Sequence, residues 1–270
     1  MFDAIWTICS NLFMIGHDRQ SHILDFLQKH PSSSILQLQE SLGVSRSTIR
    51  RDLVELEEQG EIVRVHGGVV HRDMLRGEPT YDKRGREAIA AKRLIAQTVS
   101  ALVPENSVVF LDAGTTCVEV ARHLAPRRDL RIFTHSIRLL MEIGDAAASL
   151  TCIGGEFRAV SQALVGGLSL SWLSHLHCDL AILGASGLSA QGLSTTELSE
   201  ATMKQQILAR SSRTIVVADQ RKWARSAAVT FAPWSEIQAL VTNEPPPAEL
   251  QAVLTSQQVE IHLPAGDSTD

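Results

Sequence analysis

Ser45–Gly68 reads SRSTIRRDLVELEEQGEIVRVHGG. Ile49, Leu53 and Leu56 recur at helical spacing, and Ser45 stands where an N-cap hydroxyl would begin the helix. The apolar stripe turns inward, which leaves Arg46, Ser47, Thr48, Arg50 and Arg51 facing outward near the helix start. A guanidinium grips a phosphate or the O6/N7 edge of guanine with two bonds, and the first turn of a helix is the part that enters a major groove. Gly60 stops the helix, and Ile62, Val63 and Val65 then read as a short strand that turns at Gly67 and Gly68 into Val69 and Val70. The hairpin carries Arg64 and His66 at its edge, so the stretch reads as a winged helix-turn-helix. Ser45, Arg46, Ser47, Thr48, Arg50, Arg51, Arg64 and His66 are its candidate contacts to double-stranded DNA. A basic helix alone is more often a solvated face; the preceding helix, Gly43 in the turn and the wing favour nucleic acid.

Towards the N-terminus, Ile23, Leu24 and Leu27 predict a helix over Asp18–His30, ended by Pro31. Ser32–Ser34 supply a cap for a second helix carrying Ile35, Leu38 and Leu42, which Gly43 closes. Residues 1–16 are apolar but hold Asp3 and lack both a positive n-region and the length of a membrane span. They read as an N-terminal extension or as the product of an early start codon, with no membrane association. The expected division is therefore 1–16 extension, 17–70 DNA-binding head, 71–86 linker and 87–270 ligand-binding body. The linker, HRDMLRGEPTYDKRGR, is charged, holds Gly77, Pro79 and Gly85, and has few apolar residues.

After a helix over Glu87–Leu102, the body alternates helical patterns with short apolar runs. These are Val108–Leu111, Ile132–Thr134, Leu150–Ile153, Leu180–Leu183, Ile215–Ala218, Leu240–Thr242 and Val259–Leu263. Such runs predict strands buried on both faces and joined by helical crossovers, hence a doubly wound, largely parallel α/β sheet. Ligands of such sheets sit at the carboxyl ends of strands. There the sequence places DAGTT (Asp112–Thr116) at the start of a helix, where Gly114, the Thr115 and Thr116 hydroxyls and free backbone N–H groups suit an anion. Other strand ends carry Thr134-His135-Ser136, Gly154-Gly155, Ser186-Gly187, GLST (Gly192–Thr195) and Asp219 with Lys222, and a helix nearby carries Glu197, Glu200 and Lys204. Small and hydroxylated residues gathered in this way describe a polar pocket, with Lys204 the best-placed cation.

Composition narrows the remaining classes. The 270 residues, 44% hydrophobic, suffice for a folded protein with a sizeable core, and the net charge of -5 argues against indiscriminate nucleic-acid binding while leaving room for a local basic face. Cys9, Cys117, Cys152 and Cys178 lack the paired spacing of a zinc site and read as reduced thiols in a cytoplasmic protein. No cofactor and no metal are expected.

The run SRSTIRRDLVELEEQG followed by RVHGG resembles the signature of the DeoR family of bacterial sugar-operon regulators. DAGTT, LVGG from Leu164, DLAILGASG, GLST, EATMK and ADQRK stand in the family's order along the body. The resemblance implies a transcriptional regulator, chiefly a repressor, whose body is similar in fold to ribose-5-phosphate isomerase and senses a phosphorylated sugar or related metabolite. It implies an effector site lined by Asp112, Thr115, Thr116, His135, Ser136, Gly154, Gly155, Ser186, Gly187 and Lys204. The family pattern has Asn at position 135 and Asp or Asn at 186, a difference that bears on ligand identity. A homodimer or homotetramer is expected, because one helix-turn-helix reads too few bases. The rival function is a sugar-phosphate isomerase or deaminase with an attached head. Its base would come from Asp112, Glu197 or Asp219, and no catalytic residue is assigned.

Overall fold

The computed structural model describes residues 16–29, 33–59, 61–65, 68–71 and 78–265. Two compact units divide between Glu78 and Pro79.

In the first unit, α1 (Gly16–Lys29), α2 (Ile35–Leu42) and α3 (Arg46–Glu58) precede an antiparallel hairpin of β1 (Ile62–Val65) and β2 (Gly68–His71). Ser34 caps α2 in a reciprocal pair with Gln37, and Gly43 ends it at φ 65°, a left-handed conformation that glycine adopts without strain. Ile23, Leu27, Leu38, Ile49, Leu53, Leu56, Ile62 and Val69 form one core. The wing is tied to the helices through its backbone. Ser33 and Val69 exchange two hydrogen bonds of 3.1 and 2.9 Å, and a Cβ on Gly68 would lie 2.6 Å from the Ser33 carbonyl oxygen, so only glycine fits there. His66, Gly60, Gly67, Pro31, Ser32 and residues 1–15 lie outside the described residues.

The second unit begins earlier than the linker reading allowed. Tyr81–Arg86 is a helix, α4, capped by the Thr80 hydroxyl, and Tyr81 is buried in the core beside α6. Of the charges that made this stretch look like linker, Asp82, Lys83, Arg84 and Arg86 belong to this short helix, whose single aromatic residue is buried, and residues 72–77 lie outside the described residues. After α5 (Ile89–Ser100) come β3 (Val108–Leu111), α6 (Thr115–Leu124), β4 (Arg131–Thr134), α7 (Ile137–Glu142), β5 (Ser149–Cys152), β6 (Glu156–Arg158), β7 (Ala163–Val165) and α8 (Gly167–Leu173). The chain continues with β8 (Cys178–Gly184), β9 (Gly187–Ser189), β10 (Gly192–Thr195), α9 (Leu198–Ala209), β11 (Ser211–Val217), β12 (Val229–Ala232), β13 (Ala239–Val241), α10 (Ala248–Ser256) and β14 (Glu260–His262).

All seven apolar runs are strands of one parallel sheet, ordered β14-β13-β11-β8-β3-β4-β5. Successive side chains of a strand face opposite sides, so Phe110, Ala181 and Val216 enter one core with α9 and α10, while Val109, Leu111, Ile182 and Val217 enter the other with α5 and α6. The edge strands β5 and β14 depart from the expectation of burial on both faces, because each pairs on one side only and keeps exposed residues. GLST is itself a strand: β10 is the centre of a small antiparallel sheet, β12-β10-β9. The chain winds outward from β3 in both directions, so the order reverses between β3 and β8, and the ends of these two strands open the crevice where ligands of such sheets bind.

Candidate functional site

At that crevice β3 delivers Asp112 and β8 delivers Gly184. The Gly184 N–H donates to Asp112 Oδ2 at 2.9 Å. Lys204, on α9, forms a buried ion pair with the same carboxylate and donates to the Gly184 carbonyl at 2.9 Å. Its ammonium also stands 5.5 Å from the centre of the Phe231 ring. His135, at the end of β4, places Nε2 3.6 Å from Asp112 Oδ1 and stacks on Phe110, while its buried Nδ1 has no hydrogen-bond partner. Burial pushes the Asp112 carboxyl up, but Lys204, His135 and the two hydrogen bonds outweigh it and hold the group below its ordinary value. Burial lowers His135 against the pull of Asp112, which favours a neutral imidazole. Glu200, one helical turn before Lys204, is engaged by Arg158 at 2.9 Å and by the Thr195 hydroxyl at 3.2 Å.

The same pocket has a cationic end. Lys92 of α5 is 3% exposed, and Lys222 lies on the short turn after β11. Desolvation lowers Lys92 to about 8 despite Asp219 and Glu87, and it lowers Lys222 as well, with Arg221, Arg84 and Arg225 adding repulsion. Lys92 donates to the Arg84 carbonyl. Arg221 is held by Asp219 at 2.8 Å and by Glu87 at 3.0 Å.

Asp112, Gly114, Thr115, Thr116, His135, Ser186 and Lys204 line this single pocket. Ser136, Gly154, Gly155 and Gly187 are not among its lining. The Ser136 hydroxyl caps α7 by accepting from the Leu139 N–H. Gly154 accepts from Ser169, and a Cβ on Gly155 would collide with the Ser169 hydroxyl at 1.9 Å. Gly187 packs against the Arg225 carbonyl, 2.3 Å from where a Cβ would stand. Each of these sits next to a strand end in sequence. Arg84, Glu87, Lys92, Ser161, Thr195, Glu200, Asp219, Arg221 and Lys222 also line it. Arg84 escaped notice inside a stretch read as linker, and Glu87 and Lys92 fall in the helix that opens the body, from which no site residue was named.

In the first unit, Ser45, Arg46, Ser47, Arg50, Arg51 and Arg64 are exposed and Thr48 is half-buried. The Ser45 hydroxyl accepts from the Thr48 N–H at 3.2 Å and bonds the hydroxyls of Ser47 and Thr48, so it is occupied as the cap. Arg64 pairs with Glu57 at 3.0 Å. Beneath the basic face lies Asp52, buried on the apolar side of α3 and gripped by Arg19 of α1 through bonds of 2.6 and 2.8 Å.

A helix-turn-helix unit joined to an α/β unit with a polar strand-end pocket defines a ligand-responsive DNA-binding protein. Residues 19–74 match the DeoR-like helix-turn-helix domain, and residues 87–244 match the DeoR C terminal sensor domain. The chain belongs to the DeoR family of transcriptional regulators. It is 35% identical over 231 residues to the HTH-type transcriptional regulator GlpR of Haloferax volcanii, covering 85% of this chain and 91% of that protein. It is 32% identical over 249 residues to the glycerol-3-phosphate regulon repressor of Escherichia coli, covering 91% and 98%. Ribose 5-phosphate isomerase A of Methanocaldococcus jannaschii overlays 49% of this chain and 53% of its own at 17% identity and a TM-score of 0.36, a likeness too slight to carry chemistry. The protein is a DNA-binding regulator of transcription with a small-molecule sensor, and not an enzyme. Among the described residues no helix is long and apolar enough to cross a membrane.

Proposed function

We propose that this regulator represses a carbohydrate catabolic operon and is released from its operator when a phosphorylated sugar or related metabolite occupies the pocket of the second unit. The observation that carries the reading is the pocket's composition. An uncapped helix start at Gly114–Thr116 and several cations suit a phosphate, and the Asp112, Lys204, His135 and Glu200 side chains suit hydroxyls. The relative named as the glycerol-3-phosphate regulon repressor supports a phosphorylated metabolite. Arg46, Ser47, Thr48, Arg50 and Arg51 contact operator DNA, with Arg64 and His66 on the wing. The protein acts in the cytoplasm as a homodimer or homotetramer, since paired heads read paired half-sites. Coupling of ~1–3 kcal/mol between effector and operator would shift DNA affinity by roughly 5–150-fold.

The test is fluorescence anisotropy of the full chain on labelled DNA from upstream of its own operon, titrated with a panel of phosphorylated and unphosphorylated sugars. Release by a phosphorylated compound alone is expected. Specific binding that no compound alters would overturn the effector assignment and leave the DNA-binding role standing.

A further inference from the structure

Phe157 of β6, Leu168 and Trp172 of α8 and Leu198 at the start of α9 are large apolar side chains left 59–66% exposed. Strand alternation accounts for Phe157. Ala163 and Val165 of β7 turn into the core, so Leu164 and Phe157, paired across the hairpin, face away from it. Leu168 and Trp172 stand one helical turn apart, while Ser169 and Leu173 take the buried face of α8. The three segments are fastened together. The Ser169 hydroxyl donates to the Gly154 carbonyl just before β6 at 2.8 Å, Arg158 of β6 pairs with Glu200 of α9 at 2.9 Å, and α8 packs on α9. Residues 159–178, which include β7 and α8, hold no Asp, Glu, Lys or Arg in a chain that is 20% charged.

Resting on the reading of this protein as a homo-oligomer, we propose that this face of the second unit receives the same face of a second copy, related to it by a twofold axis. The area fits a copy. A standard interface buries ~1,600 Å² in total, of which ~56–65%, or about 900–1,000 Å², is apolar. A whole aromatic side chain presents ~150–250 Å² and a leucine somewhat less, so the four open side chains offer roughly 400 Å² on each copy. Two copies then supply about 800 Å², and half-buried Leu164 adds to it. Charge points the same way. Each copy carries a net charge of -5, so contact through a charged face would set like charges against each other, whereas the stretch 159–178 brings none. An anionic lipid surface is held through basic residues, which that stretch lacks. Trp172 is the anchor, since a tryptophan enclosed at an interface carries a large share of its binding energy.

The test is sedimentation equilibrium of the full-length protein and three variants, each checked by circular dichroism melts. Trp172→Glu and Leu168→Glu place a charge where apolar groups meet, and each should raise the dissociation constant by about 30-fold or more, halving the mass of the assembly at a concentration where the wild type stays associated. Leu94→Glu is the control. Leu94 is 45% exposed on α5, which packs on the opposite face of the sheet from α8, and its replacement should leave the association unchanged. Folded Trp172→Glu and Leu168→Glu that associate as tightly as the wild type would overturn this face as the interface while leaving the homo-oligomer reading in place. Equal weakening by Leu94→Glu would overturn it too. A wild-type protein that sediments as a monomer at every concentration would refute the homo-oligomer reading itself, and this interface with it.

Discussion

Replacing Asp52 by Ala tests what holds the recognition helix against its partner. Asp52 occupies the apolar side of α3 beside Ile49, Leu53 and Leu56, and Arg19 of α1 reaches it with two parallel hydrogen bonds. Removing one member of a buried pair costs ~3–5 kcal/mol, because the other charge is left without compensation. Arg19 keeps 16% of its side-chain surface exposed, which places the expected loss at the low end, about 3 kcal/mol. At ~0.05–0.15 kcal/mol per residue, a unit spanning residues 19–74 holds only about 3–8 kcal/mol, so the substitution removes a third or more of it. Hydrogen exchange measures this directly. Amides over Ile49–Leu56 should exchange about 100-fold faster in Asp52→Ala, and those of β3 and β8 should not change. The double replacement Arg19→Met with Asp52→Leu should restore most of the protection, since apolar groups of similar volume commonly replace a buried pair at little cost. Unchanged protection of α3 in Asp52→Ala would refute the claim that this pair fastens the helix.

Arg51→Ala should weaken operator binding while leaving effector binding unchanged, and a phosphate contact would show as a salt slope reduced by about 1 in an anisotropy titration. Gly68→Ala drives a Cβ to 2.6 Å from the Ser33 carbonyl and should cost about 1–3 kcal/mol of head stability in urea denaturation, with operator affinity falling in parallel. Asp112 has a folded pKa below its ordinary 3.8, so the stability it contributes is present above that value and is lost as pH falls through the folded one. Asp112→Asn should therefore flatten the acid limb of the melting-temperature profile. For Lys92, burial lowers the pKa from 10.5 to about 8, so between those values the unfolded chain binds more protons and this group's contribution to stability rises with pH. Melts of Lys92→Met should lack that rise.

The elements most legible in the sequence are those whose patterns are local. Ser45 and Gly43 mark helix ends because capping depends on neighbours within a turn. All seven sheet strands announced themselves as short apolar runs, whereas the reversal of strand order between β3 and β8 depends on pairing between distant segments and was not legible. Asp112, Thr115 and Thr116 could be placed at the site because strand ends and helix starts in this architecture face one crevice. Helix α4 was not legible, since one buried Tyr81 among charged residues leaves no periodic signal.

A winged helix-turn-helix followed by a parallel α/β unit can be read along the chain, because period, caps and turn residues are properties of adjacent positions. The pairing of charges, by contrast, is set by contacts between distant segments. Asp112 meets Lys204 across 92 positions, Arg221 meets Glu87 across 134, and Arg19 meets Asp52 across 33. Compensation of a charge depends on distance and burial, and neither is written in the spacing of residues along a chain.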